Sequence, residues 1–145
     1  MSILGTSGTT LGICLDEPAS LTAAGFGALT YITVGEITDF GAFSRQWQLA
    51  EHKPVATRMT KSSKGGYDPG SQSFTMAKDF TDAGQEAVAA AFASTDNVSI
   101  KINFPNGKHI YYIGLVTKDE MNAGGVDSNV AASFDVKLNC DPILV

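Results

Sequence analysis

Reactive side chains are scarce in this chain. Its 145 residues include two histidines and two cysteines, too few to build the convergent sets of bases, nucleophiles and ligands that active sites and metal centres need. His52 stands in a polar stretch and His109 just after a turn, positions that suit solvated or hydrogen-bonded imidazoles. Cys14 and Cys140 lie in or beside strand-like segments near opposite ends of the sequence. Without a redox motif they read as small inert thiols, and a disulfide across neighbouring strands stays open. No apolar run is long enough to span a membrane as a helix, and the start, Met1 to Gly8, has neither the basic region nor the apolar core of a secretory signal, so residence in a cytoplasm is expected. No glycine-rich segment runs into Lys-Ser/Thr and a helix, which removes a phosphate cradle. The paired acids Asp16-Glu17 and Asp119-Glu120 sit at strand-to-loop transitions as turn residues. The single glycine turn from Asn122 to Asp127 offers too few oxygens for calcium. No enzyme, metal or cofactor is expected.

What the sequence does hold is β signal. A chain of this length fits one domain able to bury its own core. An apolar fraction of 43 %, a charged fraction of 17 % and 15 glycines describe a globular protein with many turns. From Asn97 to Phe104 apolar and polar residues alternate strictly, Pro105-Asn106-Gly107 supplies turn chemistry, and a return strand runs from Lys108 to Thr117. Val130 to Asn139 alternates in the same way. Further strands are expected over Thr9–Leu15, within Leu29–Ile37, over Phe40–Leu49 with Phe43, Trp47 and Leu49 on a dry face, and over Ser71–Met76. Pro18 to Ala28 and Asp119 to Asp127 are expected as connections. One helix follows Thr81 or Asp82 as N-cap and turns Gln85, Val88, Ala89 and Phe92 toward a sheet. The expected fold is mainly β with one α-helix, a β-sandwich or barrel of six to seven strands with a flanking helix.

Between Glu51 and Asp68 periodicity fails and a long loop is expected. Lys53, Arg58, Lys61 and Lys64 stand there against two acids, so that segment is net +2 in a chain that is net −5, leaving −7 on the rest. An acidic chain is a poor ligand for nucleic acid. A basic segment on an acidic body suits head-to-tail association between copies, with plain solvation as the alternative.

The hairpin Lys101–Val116, with its Gly114-x-Val116 exit, resembles that of tail tube (major tail) proteins of bacteriophages with long, flexible, non-contractile tails. The opening strand Thr9–Ile13, the segment Tyr67–Thr75 and the helix Asp82–Val88 fall in the order that resemblance expects. It implies a structural subunit that assembles into stacked hexameric rings, forming a hollow tube in the virion through which DNA passes without sequence-specific binding. It further implies assembly in the host cytoplasm, no membrane, and as partners a tape-measure protein, a terminator and tail-tip proteins. Subunit contacts are then expected along the loop at Glu51, Lys53, Arg58, Lys61, Lys64, Tyr67 and Asp68. Because the sequence stops soon after the last strand, one domain without a C-terminal immunoglobulin-like domain is expected. The alternatives are the tube protein of a contractile tail or type VI secretion system and, from another class, a monomeric ligand-binding β-barrel whose pocket is lined by Phe43, Trp47, Tyr111 and Tyr112.

Overall fold

A computed structural model describes residues 3, 5–126 and 128–145. Its strands are β1 (Thr10–Cys14), β2 (Ile32–Val34), β3 (Ile37–Phe40), β4 (Gln46–His52), β5 (Lys61–Asp68), β6 (Ser71–Ala77), β7 (Val98–Asn103), β8 (His109–Asn122), β9 (Ala131–Leu138) and β10 (Ile143–Leu144), with helices α1 (Ala23–Gly27) and α2 (Ala83–Ala93). Eight strands form one antiparallel sheet in the order β2-β1-β7-β8-β9-β6-β3, with β10 also beside β8; β4 and β5 pair only with each other.

The turn at Pro105-Asn106-Gly107 forms as the sequence requires: Gly107 takes φ 86°, and its N–H donates to the Phe104 carbonyl at 3.1 Å. The fourteen residues of β8 then serve two partners. Its first half pairs with β7 and its second with β9, the exchange falling at Gly114, which faces Val98 on one side and Leu138 on the other. A Cβ there would come within 2.6 Å of the Lys137 carbonyl, so only glycine lets both neighbours close in. The sheet thereby folds over itself around one core. Ile13, Ile100, Tyr112, Phe74, Phe134 and Val136 are buried in it, and Tyr112 on β8 donates its hydroxyl across the core to Gln72 Oε1 on β6 at 2.7 Å. Helix α2 begins at Asp82, whose carboxylate accepts from Gln85 N and Gly35 N, each at 3.0 Å.

Several expectations change. Among the described residues ten strands replace six or seven: one expected strand divides into β2 and β3, β5 lies where a loop was expected, and β10, of two residues, is too short to show a period. Leu29–Ile37 is not one strand: Glu36, with φ 61°, breaks it, and β2 and β3 lie at opposite ends of the strand order. The Pro18–Ala28 connection contains the one-turn helix α1, capped by Thr22, and β8 continues as strand through Asn122. The segment from residue 51 to 68 is no structureless loop. Half of it is strand, and with β4 it makes a hairpin arm. The dry face expected over Phe40–Leu49 fails as well, since Phe43 packs on the core while Trp47 and Leu49 are 43 % and 64 % exposed. In α2 the buried stripe is Gly84, Gln85, Ala87, Val88 and Ala91. Gly84 lies so close to β2 that a Cβ would sit 2.2 Å from the Thr33 carbonyl, and this rotates Ala89 and Phe92 out to solvent. Cys14 and Cys140 are both free thiols.

Candidate functional site

The arm is a two-stranded ribbon whose register runs from Gln46 opposite Asp68 to His52 opposite Lys61. Among the described residues nothing packs beneath it: every residue of β4, and all of β5 except Asp68, is exposed. At its base the Trp47 and Tyr67 rings lie 4.9 Å apart, and Lys64 Nζ stands 5.2 Å from the Trp47 ring centre. Tyr67 donates its hydroxyl to Asp141, whose carboxylate pushes the phenol pKa up, opposed by Arg45. Asp68 accepts from Lys137 and from Gly70 N at 2.9 Å, and these donors, Lys137 first, hold its carboxyl below the ordinary value. Gly70 turns the chain into β6 at φ 92°, a conformation that favours glycine.

The expected contact residues therefore separate into two groups. Lys64, Tyr67 and Asp68 belong to the anchored base, with Glu51 opposite Ser62 further out. Lys53, Arg58 and Lys61 surround the tip, where Arg58 adopts φ 54° and Val55 is 96 % exposed.

The structure contradicts the ligand-pocket alternative. Tyr112 is buried in the main core, Tyr111 lies on the other face of β8 in a second cluster with Phe26 and Ile113, and Trp47 stands on the arm, so the four aromatic residues line no common cavity.

Sequence reasoning missed a second surface. The segment β8-β9-β6-β3 buries Phe134, Val136, Phe74 and Met76 on one face; the other carries Ser71, Ser73 and Thr75 of β6 beside Ser133, Asp135 and Lys137 of β9. Ser73 donates its hydroxyl to Asp135 at 2.7 Å, and Lys118 pairs with Glu120 at 2.9 Å. The signal was present, since polar residues alternate with apolar ones along both strands. The outer edges of this segment are unpaired among the described residues: β3 bonds only β6, and beyond Gly114 only β9 accompanies β8. Of the other edges of the sheet, β2 is packed by α2 and β10 is a two-residue strand beside β8.

An antiparallel sheet with two open edges, an unsupported arm and a polar face defines the class, a β subunit built for association. The family described as "Phage tail tube protein, TTP" matches residues 22–145, and the chain belongs to that family of structural tail proteins. No curated protein matches the sequence. Among solved structures, the SPP1 tail tube is 13 % identical with a TM-score of 0.68, covering 98 % of this chain and 78 % of that one. The sheath/tube terminator of an extracellular contractile injection system, PVC, has a TM-score of 0.71 at 6 % identity over 100 % and 98 % of the two chains. The tail of an empty GTA particle gives 0.64 at 12 % identity over 93 % and 95 %. At these identities the likeness is one of fold.

Proposed function

We propose that the chain is the repeating subunit of a bacteriophage tail tube and that it closes into six-membered rings through the open edges of β3 and β8. The pair of open edges carries this reading. Strands β8, β9, β6 and β3 alternate in direction, so β3 of one subunit can meet β8 of the next in the same antiparallel sense, and the junction repeats around a ring. Pairing also removes two exposed edges that would otherwise invite aggregation. Six subunits of four strands give a lining of about 24 strands; at about 4.8 Å per strand its circumference is roughly 115 Å and its diameter about 37 Å before tilt widens it. The hydroxyl-rich face of β6 and β9 would then line the bore, a surface on which DNA finds few cations to hold it.

Stacked rings form a conduit from capsid to host, and the arm, which has no core of its own, is ordered against neighbouring subunits. A tape-measure protein, a terminator and a tail tip complete the assembly in the host cytoplasm. The test is electron microscopy and sedimentation of purified protein, beside a variant in which residues 51–64 are replaced by a short Gly/Ser turn. The intact chain is expected to form rings and tubes, and the shortened one to stay folded and not assemble. Normal tubes from the shortened chain would falsify the role given to the arm.

A further inference from the structure

The ladder between β4 and β5 shifts near its base. Trp47 faces Tyr67, yet Leu49 faces Lys64, so β5 holds one more residue in that interval than β4 does. An insertion of this kind re-aims side chains. It brings Lys64 and Tyr67 out on the same face as Trp47, where Lys64 Nζ lies 5.2 Å from the indole centre and the phenol ring stands at a tilt of 47° to it. Neither ring sinks into a core: Trp47 and Tyr67 are 43 % and 38 % exposed. With Arg45, one residue before β4, and Asp141, in the connection from β9 to β10, they line an open cleft of about 550 Å³, a size that suits a small molecule.

The polar side of the cleft is fixed in place. Asn139 N donates to the Ile113 carbonyl at 2.9 Å, Ile113 N donates to Cys140 Sγ at 3.3 Å, and Ile143 pairs with Tyr111, so the backbone on both sides of Asp141 is tied to β8. The Asp141 carboxylate in turn holds Tyr67 by its hydroxyl. Groups positioned before a ligand arrives lose less entropy when it binds.

The chemistry of these side chains narrows the ligand. Lys64 and Arg45 beside the rings disfavour a cation, the usual guest of an exposed Trp-Tyr pair. Asp141 disfavours an anion. A proline-rich peptide needs free donors for its carbonyls beside the aromatic groove, and the Tyr67 hydroxyl already donates to Asp141. What remains is a neutral molecule with one apolar face and many hydroxyl groups. A pyranose ring gathers axial C–H bonds on a face, which suits the electron-rich face of an aromatic ring, and its hydroxyls both donate to a carboxylate and accept from a guanidinium. Among the described residues Arg45 and Asp141 form no ion pair, so both keep capacity for such bonds.

We infer that this cleft binds a neutral saccharide, stacked on Trp47 and Tyr67 and hydrogen-bonded by Arg45 and Asp141. All four residues come from one subunit, so the site is complete without ring closure or tube growth.

Trp47 is the only tryptophan in the chain, which makes its fluorescence a reporter confined to the cleft. The test titrates the full chain with the neutral disaccharides cellobiose, maltose and N,N′-diacetylchitobiose, beside glucuronate, tetramethylammonium and a proline-rich peptide. At least one neutral disaccharide should change the emission saturably, with half-saturation at about a millimolar, the weak affinity that a shallow, wet cleft allows. Arg45→Ala and Asp141→Ala alter exposed side chains and keep the reporter. Each should weaken that binding about fivefold or more while leaving the melting temperature within a few degrees. Asp141→Asn keeps an acceptor for the Tyr67 hydroxyl and should bind better than Asp141→Ala. No saturable change with any neutral disaccharide, unchanged affinity in both alanine variants, or tighter binding of glucuronate, tetramethylammonium or the peptide would each overturn the assignment.

Discussion

The eight-stranded sheet and the two-stranded arm use the same antiparallel bonding, yet they differ in what lies underneath. Strands β6, β7, β8 and β9 each bury one row of side chains in a shared core, whereas β4 and β5 bury none. Backbone bonds contribute little net free energy once exchanged for water, and a lone two-stranded ribbon is marginal. The sheet is therefore stable in the free subunit, while the arm depends there on its base contacts. Core burial is confined to the first of the two regions, and substitutions should separate them.

The largest effect is expected in the core. Phe134 is fully buried and stacks on Phe74 with ring centres 4.9 Å apart, so Phe134→Ala should cost about 3–5 kcal/mol in urea unfolding. The same kind of truncation in the arm, Trp47→Ala, should cost about 1 kcal/mol or less in the free subunit and be felt in tube yield. Next comes Tyr112→Phe, expected to cost about 1–3 kcal/mol because it leaves Gln72 Oε1 buried without its donor. Asp82→Ala follows at about 1–2 kcal/mol, since one carboxylate caps α2 and also ties Gly35 to it. Equal unfolding midpoints for Phe134→Ala and Trp47→Ala would erase the distinction between the regions.

The same division explains what the sequence made legible. Where a strand has one dry face, as in β7 and β9, alternation printed it in the residues, and the hairpin turn, the helix and its Asp82 cap followed from local chemistry. The arm has no dry face, so Glu51 to Asp68 carried no period and read as a loop, although Lys61 to Lys64 pair in register with Leu49 to His52 and the ladder is interrupted only at Gly65-Gly66. Phe92 misled for the opposite reason: helical spacing put it on the apolar stripe, while the backbone approach at Gly84 turned that stripe toward Ala87 and Ala91. The charge of the arm was readable from composition. The turn that holds Phe80 outward was not, because it is assembled from Gly35, Ala77, Asp79 and Gln85, residues brought together only by the fold.

The smallest expected effect concerns the arm's root. Asp68 has its pKa lowered from the ordinary 3.8 chiefly by Lys137. A carboxyl whose folded pKa is depressed stabilises the folded state above its unfolded value, and that stabilisation is lost as pH falls through the folded value. The window therefore lies below about pH 4, and because the group is exposed the change is small. Hydrogen exchange of the peptides spanning β4 and β5 should quicken as pH falls below about 4, after correction for intrinsic rates, while those of β9 before Lys137 hold their protection. Asp68→Asn should show the quickened arm exchange already at neutral pH and respond less to acid. If arm and sheet instead lose protection together as pH falls, the root is no separate anchor and the two regions unfold as one unit.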